Sequence, residues 1–162
     1  MELNIEEIVD QFSKKLLRYA DSILCNRQDA EDIVQEVFMT AYQNRERFDG
    51  RHLSAWLYKM TYNSSIDKIR KRRILPFAEV PGQRVNPKEE KDFDLSDASL
   101  TAFSRLKPQE RALLHGRIID DYDYDELSKQ MGLSAATLRK RYERAKQKFA
   151  TILKEVHENE KI

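Results

Sequence analysis

The chain has 162 residues, 35% of them charged and 40% hydrophobic, with a formal net charge of +1. That length suits one ordinary domain or two small ones, and the apolar share is too large for a disordered chain. A lone cysteine, Cys25, excludes an intramolecular disulfide and fits a reducing compartment.

Glycine and proline number four each, against many Leu, Ala, Glu, Lys and Arg, so the composition points to helices. The start, MELNIEEIVD, lacks the basic flank and apolar core of a signal peptide. No apolar run approaches the ~20 residues of a membrane helix. We therefore expect a cytoplasmic protein with no membrane insertion.

Ile5, Ile8, Val9, Phe12, Leu16, Tyr19, Ala20, Ile23 and Leu24 recur at three and four residues and predict an amphipathic helix over about 5–25. Asn26 is placed to cap a second helix, with Asp29 three positions on. Its apolar stripe is Ala30, Ile33, Val34, Val37, Phe38, Ala41 and Tyr42. Asp32, Gln35, Glu36 and Met39 share the opposite face. Such a face is ordinarily solvated surface, but an exposed Met among carboxylates suits a protein interface.

After a polar connection at 47–51, Leu53, Trp56, Leu57 and Met60 form a third stripe. The period restarts after Asn63 with Ile66 and Ile69, then enters the basic cluster Lys68, Arg70, Lys71, Arg72 and Arg73. Trp56, Tyr58 and Tyr62 interleave with Lys59, Asn63, Lys68 and Arg70. Unpaired DNA bases need such planes to stack on and such charge for their backbone. For Trp56 and Leu57 core packing is the commoner reading.

Pro76, Pro81, Gly82 and Pro87 fall within twelve residues that show no stable period. The expected organisation is a helical domain at 1–73, a linker at 74–95 and a second helical domain at 96–162. Pro108 suits the first turn of a helix that Leu113, Leu114 and Ile118 continue.

Segment 125–145 then reads as a helix-turn-helix. Leu127 and Met131 face inward, Gly132 supplies the turn, Leu133 plugs the corner and Ser134 caps a long helix over about 135–156. Leu138, Tyr142 and Ala145 carry that helix's core face, while Arg139, Lys140, Glu143 and Arg144 stand opposite. A basic helix leaving a tight corner fits a DNA major groove. Glu143 has two readings: acceptor for a cytosine amino group, or partner of Arg139. The acidic segment 118–126 just upstream would repel phosphate and should point away from DNA.

The two halves together resemble the sigma-70 family of RNA polymerase sigma factors, extracytoplasmic-function class. The resemblance is carried by DAEDIVQEVFMTAY at 29–42, AWLYKMTYNSSIDKIRK at 55–71, LKPQERALL at 106–114 and YDELSKQMGLSAATLRKRYERAKQKF at 124–149. It implies an all-α protein that binds core RNA polymerase, through the largest subunit's clamp helices and the flap, and directs it to promoter DNA, in a stress or envelope response.

By resemblance, Asp32, Gln35, Glu36 and Met39 meet the clamp. Trp56, Lys59, Tyr62 and Asn63 sit at the melted −10 element, with Lys68, Arg70 and Lys71 on its phosphates. Ser134, Thr137, Arg139, Lys140, Glu143 and Arg144 meet the −35 element. An anti-sigma partner is implied by resemblance alone, and no cofactor is implied. Ser128, Ala135-Ala136-Thr137, Tyr142 and Glu143 depart from the family pattern and bear on which promoter is read.

Two other readings remain. A stand-alone helix-turn-helix regulator leaves the α-helical acidic face and the aromatic-basic segment without a role. A helical adaptor would leave every charge merely solvated. His52, His115 and His157 are scattered, with no metal spacing and no nucleophile-base set, so no catalytic residues and no metal site are expected.

Overall fold

Side-chain caps begin most of the helices. The Asn4 carboxamide accepts from the Glu7 N–H at 3.4 Å and opens α1 (Ile5–Leu24). Cys25 then turns left-handed at φ 51°, and Asn26 accepts from the Asp29 N–H at 3.1 Å to start α2 (Arg27–Gln43). A single 3-10 turn, Arg45–Arg47, leads toward α3 (Leu53–Ile74).

The structure, a computed structural model, describes residues 3–74 and 96–160. The expected linker at 74–95 lies outside the described residues, apart from Ile74 at the end of α3.

Helix α3 runs unbroken through Asn63, and the apolar period restarts as expected, with Ile66 and Ile69 on the core. Its buried face carries Thr61 and Ser65, which interrupt the hydrophobic pattern without interrupting the helix. The Thr61 hydroxyl donates to the Leu57 carbonyl at 2.8 Å, which satisfies it locally.

In the second half, Ser96 accepts from the Ser99 N–H at 3.2 Å and caps α4 (Asp97–Ser104), a helix the sequence reading did not separate from its surroundings. Pro108 opens α5 (Pro108–Leu114) as expected. The chain then makes a π-helical turn, His115–Ile119. Ile118 thus continues the helical stretch as expected, but the wider turn leaves it 58% exposed. Gly116 sits in that turn because α6 passes close by: a Cβ there would lie 2.6 Å from the Leu127 side chain.

Asp123 caps α6 (Tyr124–Met131) and Gly132 ends it at φ 72°. Ser134 accepts from the Thr137 N–H at 3.2 Å and starts α7 (Ala135–Glu160), a turn longer than the period alone indicated.

Ile8, Phe12, Leu16, Ile23, Ile33, Val37 and Leu57 centre the core of α1–α3. Leu113, Leu127 and Leu138 form one core of the second half. Leu106, Leu114 and Ala145, with Phe103 and Phe149, form another. Each fully buried leucine contributes about 1.5–3 kcal/mol relative to exposure.

The halves also pack on each other, since Ala112, Tyr122 and Met131 join the first core. Arg111 is the main polar tie. It is buried, and its guanidinium donates to the Ser22 carbonyl at 2.8 Å and the Ile23 carbonyl at 2.5 Å, both in the last turn of α1. It also reaches the Ser104 and Leu106 carbonyls of its own half. Helix C-termini leave carbonyls without donors and carry partial negative charge, so a buried cation there is compensated without a carboxylate. Burial pushes the guanidinium below its ordinary value, with the Cys25 and Glu110 side chains opposing.

Candidate nucleic-acid and protein interfaces

The helix-turn-helix corner forms as its residues predict. Gly132 takes the left-handed turn, and the Ser134 hydroxyl donates to the Thr137 hydroxyl at 2.8 Å besides capping α7. Leu138 and Ala145 are fully buried and Tyr142 half-buried, so one side of α7 is anchored. On the other side Arg139, Lys140, Arg141, Glu143 and Arg144 are exposed together. Glu143 settles neither of its two readings as posed: its carboxylate lies 3.4 Å from Lys146, not against Arg139. Arg139 instead lies over the Tyr124 ring, 5.1 Å from its centroid.

Two carboxylates and a tyrosine of the acidic segment are used by the protein itself. Asp120 accepts from the Tyr58 hydroxyl at 2.9 Å, the Tyr122 and Ser54 hydroxyls lie 2.5 Å apart, and Asp123 caps α6.

At the start of α3, Trp56 stacks on Phe48, with centroids 5.0 Å apart and planes at 18°. The pair lines an open cleft of about 910 Å³ with Arg47, Arg51, His52 and Lys59. Ser128, Lys129 and Gly132 of the helix-turn-helix corner form its far wall. Cations around a stacked aromatic pair can hold a phosphate chain and a base together. Sequence reasoning found Trp56 and Lys59. It missed Arg47, Phe48 and Arg51, which it read as a connection, and His52, which it read only as one of three scattered histidines. The signal was present, because Phe48 is an aromatic residue between two arginines.

Asn63, Arg70 and Lys71 are exposed further along α3, and Tyr62 is half-buried. Burial raises the Tyr62 phenol, with Arg141 of α7 opposing the shift. Lys68 is placed differently from its neighbours. It reaches Asp29 at 3.4 Å and Asp32 at 3.9 Å, and Arg72 also pairs with Asp29. These pairs tie α3 to α2, so Lys68 does not share the open position of Arg70.

On α2, Asp32, Gln35, Glu36 and Met39 share one exposed face. Met39 is 59% exposed, and Tyr42, expected on the apolar stripe, is 50% exposed. Three-residue steps carry Tyr42 to the Met39 side, where the Arg45 guanidinium covers its ring at 4.2 Å. The face therefore ends in an apolar-aromatic patch beside its carboxylates. Among the described residues no cluster suits a metal ion, and no helix is long and apolar enough to cross a membrane.

Fold and surfaces together define a two-part helical protein with a helix-turn-helix in its second half. Residues 8–74 match Sigma-70 region 2, and residues 97–149 match Sigma-70 region 4. The ECF RNA polymerase sigma factor SigE of Mycolicibacterium smegmatis is 28% identical over 156 residues, covering 91% of this chain and 61% of that protein. SigW of Bacillus subtilis is 25% identical, covering 93% of this chain and 89% of that one. In fold, the chain is similar to the sigma factor RpoE of Bartonella quintana, solved in complex with the anti-sigma factor NepR. The TM-score is 0.78 at 23% identity, covering 92% of this chain and 96% of that one. The chain belongs to the sigma-70 family, in its extracytoplasmic-function class.

The chain spans 61% of the length of the Mycolicibacterium relative. Members of this family are transcription initiation factors rather than enzymes.

Proposed function

We propose that this chain binds core RNA polymerase and carries it to promoters, dividing the task among three surfaces. The domains divide at 1–73, 74–95 and 96–162. The α2 face of Asp32, Gln35, Glu36 and Met39, extended by Tyr42, docks on the polymerase clamp helices. Trp56, Lys59, Tyr62 and Asn63 engage melted −10 bases, with Arg70 and Lys71 on phosphates. Lys68 contributes there only after leaving Asp29 and Asp32. Ser134, Thr137, Arg139, Lys140, Glu143 and Arg144 meet the −35 duplex.

One observation carries the reading. A single chain presents an acidic, Met-bearing protein surface, an aromatic-cationic cleft and a one-sided basic recognition helix. A stand-alone regulator needs only the last of these. Neither DNA surface is large, and two weak contacts gain affinity when a third body fixes their spacing. Polymerase is that body, and the protein works in the cytoplasm without cofactor or catalytic residue of its own. An anti-sigma partner is supported by the fold's similarity to a sigma factor solved with one.

The test separates the two DNA roles. Arg139→Ala should weaken −35 binding by reconstituted polymerase, whereas Asn63→Ala should leave closed-complex binding intact and slow strand opening. If both variants initiate like the parent chain, these assignments are wrong.

A further inference from the structure

Tyr124 opens α6 and is half-buried beside the recognition helix. Two guanidinium groups lie over its ring: Arg117 at 4.8 Å from the centroid and Arg139 at 5.1 Å. Tyr142 packs edge-on against it, with centroids 6.2 Å apart at 71°. Arg117 is itself fixed, because it donates to the Tyr122 carbonyl at 3.0 Å and also covers Tyr142 at 5.6 Å. The ring is therefore held from the protein side by Arg117 and Tyr142, while Arg139 is exposed toward solvent. Glu143, the nearest acid on the reading face, is turned to Lys146. Among the contacts the structure describes for the Arg139 guanidinium, the ring is the one that orients it.

We propose that Tyr124 is a positioning residue for promoter recognition, its ring fixing the plane of the Arg139 guanidinium before DNA arrives. This rests on the reading of Arg139 as a −35 contact. A free arginine side chain samples many rotamers, and ordering it on binding costs affinity. A ring that already orients the planar fork removes part of that cost and restricts the angles at which it meets a base edge or phosphate. The ring acts through its quadrupole, so the phenol hydroxyl is dispensable.

The experiment uses the full chain assembled with core polymerase, and a promoter duplex selected by the parent holoenzyme from a randomised pool. Affinities are measured for Tyr124→Phe, Tyr124→Leu, pentafluorophenylalanine at position 124, Arg139→Ala and the Tyr124→Leu/Arg139→Ala double variant. Tyr124→Phe should match the parent. Tyr124→Leu and the fluorinated ring, which keeps the shape and drains the quadrupole, should each weaken binding about two- to fivefold. The double variant should be no weaker than Arg139→Ala alone.

If Tyr124→Leu binds equally or more tightly, if Tyr124→Phe loses as much as Tyr124→Leu, or if the losses multiply in the double variant, the proposal is overturned. The underlying reading fails separately: Arg139→Ala itself would then leave affinity unchanged. The fluorinated ring keeps the test decisive should the leucine variant not fold.

Discussion

Tyr58 of α3 donates a hydrogen bond at 2.9 Å to the carboxylate of Asp120, which lies in the other half of the protein. The Tyr58 ring packs on Tyr19 at 4.8 Å and edge-on to Tyr122 at 5.1 Å, and His115 stands 3.4 Å from the same carboxylate. The helix assigned to strand opening is thus held against the domain assigned to upstream binding.

Removing the Tyr58 hydroxyl should cost about 1–3 kcal/mol, because Asp120 loses a donor in a largely buried seam. Urea unfolding of Tyr58→Phe measures it. A loss below about 0.5 kcal/mol, the range of neutral surface changes, would contradict the role given to this bond. The phenol is pushed up by burial and then by Asp120, so its stabilisation is complete below the ordinary tyrosine value of 10.0 and fades as pH rises above it. Tyr58→Phe should therefore lose stability less steeply than the parent chain in strongly alkaline solution.

Arg111→Met keeps most of the side chain's length and removes its donors. The carbonyls of Ser22, Ile23, Ser104 and Leu106 then lose a shared partner. We expect a loss of about 2–4 kcal/mol, larger than any exposed arginine should show. Thermal and urea melts of Arg111→Met beside Arg70→Met provide the comparison, and equal small effects would remove Arg111 from its central position.

Glu110 accepts from the Lys107 N–H at 2.8 Å and pairs with Lys148 of α7 at 2.9 Å. Partial burial alone would raise its carboxyl, but the Lys107 N–H and the Lys148 ammonium outweigh it and hold it below 4.5. A depressed carboxyl stabilises the fold above its unfolded value and loses that contribution as pH falls through the folded one. Glu110→Gln should therefore lower the melting temperature at neutral pH, and the gap to the parent should close on acidification below about 4.5. A gap that persists unchanged in acid would show that the charge is not what matters.

Met39 and Tyr42 end the α2 face, and neither supports a core. Met39→Glu should leave folding intact and weaken attachment to core polymerase about fivefold or more, as expected where a charge enters the centre of an interface. Competition for core enzyme against the parent chain reads this directly, and undiminished competition would move the docking surface elsewhere.

The local features were legible because their causes are local. Asn26, Pro108, Gly132 and Ser134 act within a turn of themselves, and each formed its expected cap or corner. The α2 face was legible from its period up to Met39, but Tyr42 was not, because a stripe drawn at three and four residues drifts around a long helix. Arg111 could not be found at all: LKPQERALL reads as an ordinary helix start, and the Ser22 carbonyl it serves is 89 residues away in sequence. Lys68 was hidden likewise, since its acids lie on another helix. The exposure of Ile118 was not legible, because the π-helical turn that sets it has no signature in the apolar spacing. The aromatic-cationic cleft needed the fold, because its walls come from both halves.

The most direct measurement is run-off transcription with purified core polymerase, a pool of genomic promoter fragments and this chain. The account predicts discrete transcripts that require the chain and share paired upstream and downstream sequence elements. Transcripts identical to those of core enzyme alone, with no chain bound to the polymerase, would contradict it.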